Sequence, residues 1–131
     1  MAHGNRRPAV LLTGDLALLH DTNGFLTAPK LQGSLTIVLI NNNGGGIFEH
    51  LPVAQFEPFE KFFATPQQVD FKKLCSAYGL SHMAVKNWVQ LAKLAGQLPR
   101  RGVRVLEIRT DRKRDAAWRR ALFAQLAALA G

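Results

Sequence analysis

The sequence predicts an α/β fold, a parallel sheet with helices on both faces. Short apolar runs end in turn-forming residues, and segments of helical spacing separate them. The run SLTIVLI, residues 34–40, is continuously apolar and β-branched, as a strand covered on both faces requires. Strands separated by helices close into a parallel sheet through right-handed crossovers.

PAVLLTGD, residues 8–15, reads as a buried strand closed by Gly and Asp. LALLHDTNGFLTA follows with Leu16, Leu19, Phe25 and Leu26 near helical spacing, weakened by Gly24. After SLTIVLI and NNNGGG, a short helical turn around Ile47 to Leu51 is stopped by Pro52. VAQFEPFEKFFATPQQ is rich in Phe and broken by Pro58 and Pro66, which predicts an irregular lid or packing segment. VDFKKLCSAYGL places Phe71, Leu74, Cys75 and Tyr78 on one helical stripe, with Gly79 as its stop. HMAV reads as a small strand before Asn87, which would cap WVQLAKLAGQ. GVRVLEIRT reads as a further strand and DAAWRRALFAQLAALA as a strong helix. No repeat, linker or low-complexity tract interrupts the order.

A chain of 131 residues, 47% hydrophobic and 20% charged, fits one soluble domain. No apolar stretch reaches the roughly 18 residues that span a bilayer, and MAHGNRRPAV lacks the apolar centre of a signal peptide. The single cysteine excludes an internal disulfide. These features predict a cytoplasmic protein with no membrane partner. The net charge of +8 favours anionic partners. Much of it lies in residues 100–120, interleaved with strand and helix patterns and without an aromatic stacking motif. A basic nucleic-acid-binding module therefore stays an alternative, set below a reading with no nucleic acid.

The functional reading starts at INNNGGGIFEHLP. Asn-Gly favours tight hairpins, but IFEHLP does not continue as an alternating strand. In parallel sheets, ligands bind beyond the carboxyl ends of strands. Two loops meet that description, TGDLALL and INNNGGGIF. Asp15 and Asn42 lie 42 − 15 = 27 positions apart, each at the end of an apolar strand, with one helix between them. Such a pair offers hard oxygen ligands: a carboxylate, an Asn side-chain carbonyl and a loop carbonyl. Mg²⁺ takes about six oxygens at ~2.1 Å, commonly some from phosphates. Glycines would let backbone approach a diphosphate without a Cβ in the way.

GDLALLHDTNGFL followed by NNNGGGIF resembles the signature of the thiamine-diphosphate-dependent enzymes, which begins Gly-Asp and ends Asn-Asn after a strand. The resemblance implies an incomplete thiamine-diphosphate-binding fold. Metal ligands would be Asp15, Asn42 and the main-chain carbonyl of Gly44, holding Mg²⁺ or Mn²⁺, and Gly14, Leu16 and Gly45 would complete the cofactor contacts. Leu16 stands where many members have Gly or Ala. With LLHDTNG and the GGGIFEHLP tail, that departure resembles one branch, the 2-succinyl-5-enolpyruvyl-6-hydroxy-3-cyclohexene-1-carboxylate (MenD-type) synthases of menaquinone and phylloquinone biosynthesis. Those enzymes decarboxylate 2-oxoglutarate and add the succinyl unit to isochorismate. Ile47, Phe48 and Leu51 would line the substrate pocket, or else pack a helix face on the sheet.

The resemblance also implies what lies elsewhere. Residues 1–131 match the C-terminal diphosphate-binding domain, truncated on its N-terminal side. The activating glutamate belongs to the first domain of a second subunit, so no catalytic residue is assigned here and the isolated chain is expected to be inactive. The parent would be a homo-oligomer. Another thiamine-diphosphate decarboxylase or an acetolactate-synthase relative is the alternative within the family. His20, His50 and His82 lack metal-ligand spacing, with His50 expected on an exposed helix position. Cys75, Trp88 and Trp118 read as packing residues.

Overall fold

The computed structural model describes residues 7–130, so the first six residues of MAHGNRRPAV lie outside it. The chain divides into two compact units. One runs up to Asn41 and takes in Val69–Arg109; the other comprises Asn42–Gln68 and the chain from Thr110 onward.

The first unit is a four-stranded sheet in the order β1-β2-β4-β3, with every pairing parallel. Its strands are β1 (Pro8–Gly14), β2 (Ser34–Asn41), β3 (Ser81–Ala84) and β4 (Gly102–Arg109). Helices α1 (Asp15–His20), α2 (Phe71–Ala77) and α3 (Trp88–Gly96) alternate with them, as the pattern of apolar runs predicts. Register aligns the strand ends: Gly14 faces Ile40, Asn41 faces Arg109 and Ala84 faces Glu107. The core gathers Leu18, Phe25, Ile37, Leu39, Phe71, Cys75 and Val105, with Tyr78 edge-on to Phe25 at 5.4 Å. Asp70 caps α2 by accepting from the Lys73 amide, and Asn87 caps α3 by accepting from that of Gln90. Gly79 stops α2 at φ +68°. Cys75 is fully buried, and burial first, then the charge of Glu107, pushes its thiol up to about 11.

Three expectations need correction. Among the described residues β1 pairs with β2 alone, so it is an edge strand and not a buried one, with Val10, Leu11 and Leu12 exposed. The single helix expected after Gly14 stops at His20 and becomes a 3₁₀ run, Thr22–Lys30. Asp21, Asn23, Gly24 and Pro29 are poor helix formers, and they yield to the tighter turn. Trp88 is 80% exposed and Trp118 is exposed too, so neither is a packing residue among the described residues.

The second unit contains two 3₁₀ turns, Gly46–His50 and Pro52–Gln55, a π-helical turn Glu60–Ala64 and helix α4, Arg112–Ala130. The Phe-rich stretch supplies its small core. Phe59 stacks on Phe63 at 5.9 Å, and Phe48 meets Phe63 edge-on at 6.0 Å. α4 begins three residues before the expected Asp115, because the Asp111 carboxylate accepts from the Arg114 amide at 2.9 Å.

Candidate functional site

In the first unit, Gly14 ends β1 and Asp15 opens α1. Asp15 is only 6% exposed, and its Oδ1 accepts from the Leu16 amide at 3.0 Å. Because β1 and β2 run parallel in register, Gly14-Asp15 and the end of β2 lie side by side at the carboxyl edge of the sheet. From Asn41 the chain passes directly into Asn42.

The same edge carries a polar cluster that the sequence pattern did not single out. Glu107 is fully buried in β4. Its Oε1 accepts from Asn41 Nδ2 at 2.7 Å and from Arg109 Nε at 2.9 Å, while Oε2 lies 2.8 Å from His82 Nε2. Burial opposes ionisation of this carboxyl. The hydrogen bonds from Arg109, Asn41 and His82, together with the Arg109 charge, outweigh burial and hold it below the usual range. One carboxylate thus ties β3 to the ends of β2 and β4. The signal in the sequence was a lone acidic residue inside the apolar run GVRVLEIR, since an unpaired buried charge is too costly to keep.

In the second unit, Asn42, Gly44 and Gly45 form the turn after β2. Gly44 is at φ +130°, and a Cβ there would run into the main-chain oxygen of Ala64. At Gly45 it would lie 2.7 Å from the Phe63 carbonyl oxygen, and the Gly45 amide donates to Ala64 O at 2.7 Å. The glycines therefore admit the backbone of residues 63–66. The Gly44 carbonyl accepts from the Gly46 amide at 2.9 Å.

Asn42 Oδ1 is buried without a hydrogen-bond partner, a property it shares with Thr110 Oγ1 among the described residues. Both residues line a cavity of about 170 Å³, together with Asn43, Asp111, Arg112 and Lys113. An orphaned buried acceptor costs on the order of 1–3 kcal/mol until a donor or cation satisfies it, so this oxygen fits a hard cation. Among the described residues, no three of His, Cys, Asp and Glu gather as a metal site. Ile47 is 76% exposed and Leu51 is exposed as well, whereas Phe48 is half-buried against Phe63. His50 is exposed, as expected.

Several cations of the basic stretch serve the fold itself. Arg104 donates to Thr36 Oγ1 at 2.9 Å and to the Gln97 carbonyl at 3.2 Å, and Arg120 donates to the Glu49 carbonyl at 3.0 Å. Arg112 pairs with Glu49 and Glu60, and Lys113 with Glu60 at 2.7 Å. Lys113 foremost, with Arg112, holds the Glu60 carboxyl below its ordinary value against the cost of desolvation.

Comparison with known proteins follows the same lines. Residues 1–108 match the family described as "Thiamine pyrophosphate enzyme, C-terminal TPP binding domain". The chain is 63% identical over 111 residues to 2-succinyl-5-enolpyruvyl-6-hydroxy-3-cyclohexene-1-carboxylate synthase of Trichodesmium erythraeum, covering 84% of this chain and 19% of that protein. It is 58% identical over 130 residues to the synthase of that name from Synechococcus elongatus, covering 98% of this chain and 22% of the relative. The chain thus spans about a fifth of the length of these relatives. Among solved structures, benzoylformate decarboxylase from Polynucleobacter necessarius superposes with a TM-score of 0.67 at 21% identity, over 83% of this chain and 20% of that one. That likeness establishes the fold.

Proposed function

The chain belongs to the C-terminal thiamine-pyrophosphate-binding domains of the thiamine pyrophosphate enzymes, and from that premise we propose that it is the diphosphate- and Mg²⁺-binding part of a 2-succinyl-5-enolpyruvyl-6-hydroxy-3-cyclohexene-1-carboxylate synthase. Asp15, Asn42 and the carbonyl of Gly44 hold the metal, while Gly14, Leu16 and Gly45 border the diphosphate. The buried, unpartnered Asn42 Oδ1 carries this reading. It is the oxygen type that Mg²⁺ takes, it follows a strand that ends beside Gly14-Asp15, and the identity to named synthases gives it a parent reaction.

Thiamine diphosphate, when bound, supplies the carbanion chemistry for decarboxylating 2-oxoglutarate and extending isochorismate. The residues of this chain anchor and orient it. Asp15 offers a full negative charge to the metal, and Asn42 and Gly44 add neutral oxygens without building up repulsion. Ile47, Phe48 and Leu51 form an apolar wall toward the substrate. The exposed side chains of Val10, Leu11 and Leu12 are surface of the kind that other domains cover. We assign them to the remaining domains or the second subunit of a cytoplasmic homo-oligomer.

A chimera tests the proposal. The matching segment of the Synechococcus elongatus synthase is replaced by this chain, and isochorismate consumption is followed with 2-oxoglutarate, thiamine diphosphate and Mg²⁺. The expected rate is within about tenfold of the parent, a loss below ~1.4 kcal/mol in transition-state stabilisation, while the isolated chain gives no turnover. A folded chimera without turnover, or repeated turnover by the isolated chain, would contradict the assignment.

A further inference from the structure

Arg112 opens α4, yet it is only 9% exposed. Its planar fork presents donors in several fixed directions, and three of its nitrogens are engaged. Nη1 binds Glu49 Oε1, Nη2 binds Glu60 Oε2, and Nε donates to the Asn43 carbonyl over a longer 3.4 Å. These acceptors belong to three separate pieces of the second unit: the Asn42–Gly45 turn, the 3₁₀ turn Gly46–His50 and the π-helical turn Glu60–Ala64. No strand holds residues 42–68, so side-chain bonds act beside local turns and the Gly45–Ala64 backbone bond in fixing their course. Asn43 Oδ1 adds one by accepting from the Gln68 amide at 3.3 Å.

We propose that Arg112 is the positioning residue of the metal-binding turn. Asn43, whose carbonyl it holds, lies between Asn42 and Gly44, and this inference rests on reading those two residues as metal ligands. An arginine beside a diphosphate site could instead bind the anion. Here two carboxylates already match its charge and its fork is in use, so it acts through the turn and not on the cofactor. Breaking a buried pair leaves the remaining charges uncompensated. Without Arg112, Glu49 and Glu60 lose their common partner, Glu60 keeping Lys113, and the Asn42–Gly45 turn loses one of its restraints.

The test uses the 131-residue chain and its Arg112→Met and Arg112→Lys variants. Amide exchange is read at Gly45 and Gly46 without ligand, and Mn²⁺ affinity is read by electron paramagnetic resonance with thiamine diphosphate present. Arg112→Met is expected to speed exchange at both glycines and to weaken Mn²⁺ binding, each on the order of tenfold. Exchange in β2 and β4 should stay unchanged. Arg112→Lys, which keeps the charge but not the fork, should fall between. If Arg112→Met fails to fold by circular dichroism, Glu49→Gln, which weakens one arm of the clamp, should give the same two changes. Wild-type exchange and Mn²⁺ affinity in the folded variants would overturn the proposal, as would faster exchange with unchanged affinity. Asp15→Ala and Asn42→Ala serve as the separate control. If these two bind Mn²⁺ like wild type, the metal reading itself fails; if they lose it while the Arg112 variants do not, only the positioning role fails.

Discussion

Asp15→Ala in the chimeric synthase lowers affinity for thiamine diphosphate at limiting Mg²⁺ by about a hundredfold or more, and turnover falls with it. The size follows from what is removed. Residues that merely orient a metal ligand cost roughly 10–100-fold when lost, and Asp15 is proposed as a direct ligand and the only charged one. Asp15→Asn keeps an oxygen without the charge and should lie between wild type and Ala. The fold should persist, because Asp15 opens α1 and lies outside the hydrophobic core cluster. Titration calorimetry at a fixed low Mg²⁺ concentration measures the change, and unchanged affinity would remove Asp15 from the site.

Gly44→Ala is the second large effect, and it acts on stability. At φ +130° an L-residue is strained by about 1–3 kcal/mol. The added Cβ would also meet the Ala64 carbonyl oxygen and lie 3.2 Å from its carbon. Both are backbone atoms, which do not swing aside as the end of a side chain would. The combined loss should be about 3 kcal/mol or more for the second unit. Gly24→Ala is the contrast: nothing lies within 4 Å of its Cβ position, so it should be neutral or slightly stabilising. Urea unfolding followed by fluorescence compares the two. A Gly44→Ala midpoint equal to that of wild type would show that the approach of residues 64–66 is not tight.

The parallel sheet was legible because β2 is apolar on both faces, and helix stops such as Gly79 and caps such as Asn87 announce themselves locally. Other features depended on neighbours that no local pattern reveals. The apolar composition of β1 fits an interior strand and an edge strand equally well, and its place beside β2 alone decides the matter. The glycines after Asn43 looked like room for a diphosphate. At Gly44 and Gly45 the space goes to the Ala64 and Phe63 carbonyls. That does not conflict with a nearby anion, but it gives these residues a packing reason of their own. Arg112 was hidden among neighbouring cations, and its burial comes from Glu49 and Glu60, 63 and 52 positions away. Glu107 showed itself only as an oddity in an apolar strand, with partners spread over β2, β3 and β4.

The most direct measurement is a crystal structure of the chimeric synthase with thiamine diphosphate and Mg²⁺. One metal ion is expected there, bound by an Asp15 carboxylate oxygen, Asn42 Oδ1 and the Gly44 carbonyl oxygen, each at ~2.1 Å, with diphosphate oxygens in the remaining positions. A cofactor whose diphosphate and metal lie away from Asp15 and Asn42, with Asn42 Oδ1 satisfied by a protein donor, would contradict it.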